Sequence, residues 1–366
     1  MRTALFAAAL VGMFAACAYA QTPYWVDDMH AVHSHFTGTP GTVVRMGDSI
    51  TVSLAFFKPL QWTTNTGDAT TAMNWIRSYI NTNPTPNNNC WDWANDSQPP
   101  ANTGHDWEYK GAKGGMDSSW PLATDQHPSP AQTNVQTWLN NLHPEMAVIM
   151  FGTNDISHGL SVAAYKNNMR TIVQACKTNG TIPLLTTPPP RRSYDLTPFV
   201  TAVRELGVEL QVPVIDYYDA ILTRRPGTTW DNTLIGSDGV HPSAGANDFG
   251  GTNLSNYGYT LRNYVTVKGL YDVYQRGVVL PAPHAGDANR DNHVNVDDLG
   301  ILATNYDGAG KWWELGDFTG DGTVNVDDLG VLSSNYDWAS GGQSVPEPAT
   351  LALLAAALAL PRRSRR

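Results

Sequence analysis

Between residues 146 and 215 the chain alternates short apolar runs with longer amphipathic stretches, and this alternation restricts the fold more than any other feature. Met146-Ala147-Val148-Ile149-Met150-Phe151, Ile182-Pro183-Leu184-Leu185 and Val212-Pro213-Val214-Ile215 read as buried strands. Ala131 to Leu142, Ser161 to Lys177 and Leu196 to Leu210 read as helices, the second closed by Asn179-Gly180. Strands that are apolar on both faces and separated by helices need crossover connections. They therefore predict a parallel sheet covered on both sides, in the α/β class. In such a sheet a site belongs at the carboxyl ends of the strands.

Three short stretches occupy such ends. In Thr42-Val43-Val44-Arg45-Met46-Gly47-Asp48-Ser49 a short strand runs into a turn, with Gly47 read as a residue granting an unusual backbone conformation. Ser49 then presents its hydroxyl at the strand end as a candidate nucleophile, although Gly-Asp-Ser also suits an ordinary turn. After Phe151, Gly152-Thr153-Asn154-Asp155 places a neutral amide donor at a strand end. Asp238-Gly239-Val240-His241-Pro242 sets a carboxylate and an imidazole on one turn, so that the acid can hold one ring nitrogen while the other faces the serine. Singly, Asn154 also reads as a turn asparagine and His241 as a surface histidine.

In order, spacing and strand context these stretches resemble the SGNH, or GDSL-like, hydrolases over roughly residues 40–275, with Ile50 where the family name has Leu. The resemblance implies a three-layer α/β/α fold with a central parallel sheet and hydrolysis of acyl esters by a Ser-His-Asp triad without a catalytic cofactor. Ser49 would attack the carbonyl, His241 relay the proton, and Asp238 orient the imidazole. The oxyanion donors map to the Ser49 amide, a loop glycine amide and the Asn154 side chain. Gly115 in Lys113-Gly114-Gly115-Met116 fits the glycine best, with Gly114 next. It lies 66 residues beyond Ser49, so the segment of about 81–122 reads as an insertion. Its Trp91, Trp93, Trp107 and Trp120 read either as sugar-stacking platforms or as a small core for the insertion.

Leu254 to Arg276 reads as a closing helix and 280–285 as a linker. Beyond it an internal repeat begins: Gly286-Asp287 through Asp298-Leu299-Gly300 recurs thirty residues later as Gly316-Asp317 through Asp328-Leu329-Gly330. Oxygen-bearing residues fall at loop positions that suit a hard cation. They are Asp287, Asn289, Asp291, the His293 carbonyl, Asn295 and Asp298, then Asp317, Thr319, Asp321, the Thr323 carbonyl, Asn325 and Asp328. Two such copies resemble a type I dockerin. The resemblance implies a small all-α domain over 286–338 holding two structural Ca²⁺ ions, with a cohesin-like protein as a possible partner.

The formal charge of −10 is uneven, because residues 286–338 carry eleven acidic and two basic side chains. A nucleic-acid partner is thereby disfavoured and a cation favoured. Residues 1–20, with Arg2, an apolar run and Ala18-Tyr19-Ala20, read as a secretory signal peptide, with lipoprotein processing at Cys17 as the alternative. In an exported chain Cys90 and Cys176 have the chance to pair, but no spacing requires it. His30, His33 and His35 carry no metal signature beyond their closeness. Residues 345–366, with Val345-Pro346-Glu347-Pro348, an apolar run and terminal arginines, resemble a PEP-CTERM bacterial sorting signal. That resemblance implies contact with a sorting machinery.

The expectation is thus an exported bacterial serine esterase with its hydrolase domain over 21–279. An acylated carbohydrate is the preferred substrate, and lipid or small acyl esters are the alternative. A glycan-binding or adhesion protein on the same fold is the rival.

Overall fold

The computed structural model describes residues 23–80, 111–125, 132–279, 284–311 and 313–339. The predicted signal peptide, the sorting tail, and Cys90, Trp91, Trp93 and Trp107 of the predicted insertion lie outside the described residues. The chain divides into two compact units, Tyr24–Ala282 and one that gathers the described residues from His284 on.

The larger unit runs α1 (Val26–His33), β1 (Val43–Gly47), α2 (Ser49–Val52), α3 (Thr70–Tyr79), α4 (Asn134–Leu142), β2 (Met146–Met150), α5 (Thr153–Ser157) and α6 (Val162–Thr178). It continues with β3 (Ile182–Thr186), α7 (Thr197–Glu209), β4 (Val214–Ile215), α8 (Tyr217–Arg224), α9 (Asn253–Asn256) and α10 (Gly258–Val273). The sheet is parallel throughout, in the order β1-β2-β3-β4, with Gly47 opposite Met150 and Ile149 opposite Leu185. Every residue of β1, β2 and β3 is buried, as strands covered on both faces require. Burial of a full Val, Leu, Ile or Met side chain contributes about 1.5–3 kcal/mol, so these strands anchor the core.

Several boundaries differ from expectation, each for a local reason. The helix expected from residue 131 starts at Asn134, because Thr133 and Gln136 close a reciprocal capping box. The strand expected over 212–215 pairs with β3 only at Val214 and Ile215. The closing helix is broken at Tyr257, whose extended backbone separates α9 from α10. A helix not foreseen, α1, forms where Val26, Met29 and Val32 bury one face of an otherwise polar stretch.

The segment expected as an insertion is described from residue 111 on. Already at Ala112 the chain forms a parallel bridge to Gly47 on the free edge of β1, with Lys113 N–H donating to the Gly47 carbonyl at 3.1 Å. Trp120 is buried, its ring centroid 4.8 Å from that of Trp138, so this tryptophan belongs to the core. Among the described residues no helix is long and apolar enough to cross a membrane.

In the smaller unit both copies of the repeat fold alike, each loop leading into a helix, α11 (Val296–Asn305) or α12 (Val326–Ser334). Its core is built from equivalent positions of the two copies: Ala288 and Phe318, Val294 and Val324, Leu302 and Leu332. Asp298 accepts the amides of Ala288 and Asn295 at 2.8 Å each, and Asp328 accepts those of Phe318 and Asn325 at 2.8 Å each. Asp287 and Asp317 each take two amides of their own loops. With their carboxylates engaged by backbone amides, no three His, Cys, Asp or Glu side chains among the described residues converge on one point as a metal cluster. Burial first, and then the neighbouring Asp298, push the Asp287 carboxyl above its ordinary range.

Candidate active site

β1 delivers the serine. Asp48 caps α2, its Oδ1 accepting the Ile50 amide at 2.9 Å, and Ser49 is the first residue of that helix. Gly47 is required for space and not, as its sequence context suggests, for a left-handed backbone, since it is not among the glycines of positive φ. A Cβ there would lie 2.2 Å from Thr51 Oγ1 and 2.6 Å from the Met150 carbonyl oxygen.

His241 Nε2 stands 2.8 Å from Ser49 Oγ, and His241 Nδ1 stands 2.7 Å from Asp238 Oδ2. The other carboxylate oxygen, Asp238 Oδ1, accepts the amides of Val240 at 2.9 Å and His241 at 3.0 Å. A carboxylate that spans its own turn in this way fixes the imidazole relative to the backbone. Burial pushes the Asp238 carboxyl up, but the Val240 amide and the His241 ring and amide outweigh it and hold the group down at about 2. The acid is therefore ionised throughout the neutral range.

On the other side of Ser49 two turns meet. Gly114 lies against the serine, a Cβ on it being 3.9 Å from Ser49 Cβ, while Gly115 adopts φ +78° with open space beside it. Asn154, in the first turn of α5, donates its side-chain amide to the Met116 carbonyl at 2.9 Å and reaches Asp48 Oδ2 at 3.4 Å. Buried Asp155 accepts the amides of Ser118 at 3.0 Å and Gly152 at 2.8 Å. The pair His158 Nδ1 and Asp117 Oδ2, 2.6 Å apart, ties the same two turns at the surface. Neither partner of that pair was foreseen, because 41 residues separate them and no motif spans the interval.

Behind the serine sits a fully buried charge cluster. Burial pushes the Asp48 carboxyl up to about 6, against the Ile50 amide and the Arg262 guanidinium, which pull it down. Burial lowers Arg262 to about 10. Its guanidinium lies 3.6 Å from the Phe56 ring centroid, and its Nη2 donates to Thr51 Oγ1 at 3.0 Å. Arg262 is silent in the sequence, since it sits in the closing helix between Leu261 and Asn263 with no motif around it. Of the three N-terminal histidines, His33 bonds Glu145 Oε1 at 3.0 Å.

The description of the GDSL-like Lipase/Acylhydrolase family matches residues 46–249, a span that holds Ser49, Asn154, Asp238 and His241. The chain belongs to this family. It is an ester-bond hydrolase with the parallel α/β sheet of that family.

Among solved structures, the acylhydrolase is similar to a GDSL-like lipase from Bacteroides thetaiotaomicron at 14% identity, over 64% of this chain and 89% of the other, with a TM-score of 0.38. It is similar to a lipase/acylhydrolase from Enterococcus faecalis at 20% identity, over 62% and 94%, with a TM-score of 0.35. It is also similar to a carbohydrate esterase family 3 structure from Talaromyces cellulolyticus at 18% identity, over 65% and 99%, with a TM-score of 0.41. No curated protein matches the chain.

Proposed function

We propose that this acylhydrolase cleaves its ester through Ser49, His241 and Asp238. The observation that carries the reading is the unbroken chain of contacts from Asp238 Oδ2 through the two imidazole nitrogens to Ser49 Oγ, at 2.7 and 2.8 Å. Ser49 Oγ attacks the ester carbonyl carbon while His241 Nε2 takes its proton. Asp238 holds Nδ1–H and balances the imidazolium. The carbonyl oxygen gains negative charge and is met by the amides of Ser49 and Gly115 and by the Asn154 side chain, the last requiring that Asn154 relax its bond to Met116. His241 then protonates the leaving alkoxide. Water, deprotonated by the same nitrogen, attacks the acyl-enzyme and frees the acid and Ser49.

The duplicated loops supply a second part of the reading. Their donor set, carboxylate, amide, hydroxyl and carbonyl oxygens without sulfur or imidazole nitrogen, fits Ca²⁺. In the first loop Asp287, Asn289, Asp291, the His293 carbonyl, Asn295 and Asp298 would hold one ion, and the matching residues from Asp317 to Asp328 a second. Bound Ca²⁺ would offset the acidic charge of these loops, and the module would dock the enzyme to a cohesin-like protein. Dockerin-like modules accompany enzymes of polysaccharides, which favours O-acyl groups on carbohydrate as the substrate. Residues 1–20 and 345–366 favour export and sorting at a bacterial surface.

The test is a substrate screen of acetylated polysaccharides against short- and long-chain p-nitrophenyl esters, wild type beside Ser49→Ala. Release of acetate from polysaccharide by wild type alone is expected. Equal rates for the two proteins would remove the serine mechanism.

A further inference from the structure

Two adjacent arginines, Arg191 and Arg192, follow β3 and reach the two turns that the proposed mechanism uses. The segment begins with Pro188, Pro189 and Pro190, all buried, whose rings fix φ and leave no amide to satisfy. This stiff stalk ends in a tight turn, closed by a bridge between Arg191 and Tyr194 and passing through Ser193 at φ +69°.

From that turn the side chains diverge to different targets. Arg191 Nη1 donates to the Thr153 carbonyl at 2.5 Å, one residue before Asn154, and its guanidinium lies 4.5 Å from the Tyr194 ring centroid. Arg192 engages the acid–base turn instead. Its backbone amide donates to the Gly239 carbonyl at 2.8 Å, and its Nη1 donates to the Ser237 carbonyl at 3.0 Å. The same guanidinium is gripped by Asp231, through Nε at 2.9 Å and Nη2 at 2.7 Å, and by Asn232 Oδ1 at 3.2 Å. Gly239 has φ +71°, and a Cβ there would lie 2.6 Å from Arg192 Cβ, so the turn and the arginine are fitted to one another without spare room.

We infer that Arg191 and Arg192 are positioning residues that set the distance between the Asn154 turn and the Asp238–His241 turn, an inference that rests on the proposed triad mechanism. The hydrogen bonds of the two side chains go to none of Ser49, His241 and Asn154. They act through the Thr153, Ser237 and Gly239 carbonyls. Asp231 belongs to the same device, because it fixes the Arg192 fork in a bidentate pair that lysine reproduces only in part. The turn that must hold His241 within bonding distance of Ser49 is closed by Gly236 N–H to the His241 carbonyl at 2.8 Å and is tied on its far side to α10 through Tyr259 N–H to the Ser243 carbonyl at 3.1 Å, so Arg192 is its link to the β3 side. A rigid strap from the neighbouring strand end restrains it against the nucleophile over the whole cycle, and misplacement by about 1 Å costs up to about 10²-fold in rate.

The experiment measures kcat and KM for wild type, Arg192→Gln, Arg192→Lys, Asp231→Asn and Arg191→Gln, on p-nitrophenyl acetate, per active site titrated with a fluorophosphonate. The expected result for Arg192→Gln is kcat lower by about 10- to 100-fold with KM within twofold. Arg192→Lys should recover part of that loss, and Asp231→Asn, which leaves the acid–base turn untouched, should lower kcat in the same direction. Arg191→Gln should likewise lower kcat. Full kcat per titrated site in Arg192→Gln and Asp231→Asn, or an effect on KM alone, would overturn the inference. If Arg192→Gln does not fold, Asp231→Asn and Arg192→Lys decide it by the same criterion. Failure of the underlying mechanism has a different signature, namely Ser49→Ala as active as wild type.

Discussion

Arg262 Nη1 donates to the Ile50 carbonyl at 2.7 Å from a position with no solvent exposure, binding the last long helix of the hydrolase unit to the helix that carries Ser49. Because the guanidinium also donates to Thr51 Oγ1, packs on the Phe56 ring and pulls the buried Asp48 carboxyl down, its loss removes two buried hydrogen bonds and a favourable charge for Asp48. Replacing Arg262 by Leu should destabilise the hydrolase unit by about 1–3 kcal/mol, the usual cost of leaving a buried hydrogen-bond partner such as the Ile50 carbonyl unsatisfied. Chemical denaturation followed by tryptophan fluorescence measures it. A loss under about 1 kcal/mol would show that the cluster is held by other contacts.

Asp48 sets a pH dependence whose sign is opposite to that of a salt-bridged carboxylate. Its folded value of about 6 lies above the ordinary aspartate value, so the folded state binds the extra proton and stability falls as pH rises from about 4 to about 6. The effect is on the order of 3 kcal/mol for a shift of this size. Asp48→Asn lacks it. The difference in unfolding free energy, variant minus wild type, should therefore grow across that window and be flat above it. A flat difference throughout would contradict the assignment.

In the proposed mechanism the Asn154 side chain is the oxyanion donor that mutation can remove without touching the backbone. Asn154→Ala should lower kcat by about 10²–10³-fold while KM changes little, since the donor acts on charge that develops only in the transition state. Stopped-assay kinetics on a p-nitrophenyl ester suffice. A change confined to KM would place Asn154 in ground-state binding instead.

How much of this was legible in the sequence depends on distance along the chain. The sheet could be read because Met146–Met150 and Ile182–Thr186 are apolar on both faces, and that pattern needs no partner to be recognised. Ser49, Asp238 and His241 stood out because each lies in a short motif at an expected strand end. Arg262, Arg192 and the His158–Asp117 pair could not, since their meaning comes from partners 39 to 212 residues away. The role of Gly47 was misread for a related reason: the atoms that leave it no room for a Cβ include the Met150 carbonyl, about a hundred residues on in the chain. α1 was missed because its buried Val26, Met29 and Val32 are diluted by charged and imidazole side chains.

The duplicated acidic unit gives a prediction separable from catalysis. In the full chain, calorimetry should resolve a transition for this unit that moves to higher temperature with Ca²⁺ and back with chelator, a stabilisation of about 2.7 kcal/mol per bound ion at a hundredfold excess over the dissociation constant. Asp298→Asn together with Asp328→Asn should abolish the shift, with ester hydrolysis at the wild-type rate. A transition indifferent to Ca²⁺ would remove the metal from the account.

The most direct test of the central claim is covalent labelling of the folded wild-type chain with a fluorophosphonate, followed by mass mapping of the adduct. The account predicts one adduct per chain on Ser49, loss of esterase activity in step with labelling, and labelling slowed by orders of magnitude in His241→Ala. An active protein that takes no label at Ser49, or takes it equally fast without the imidazole, would contradict it.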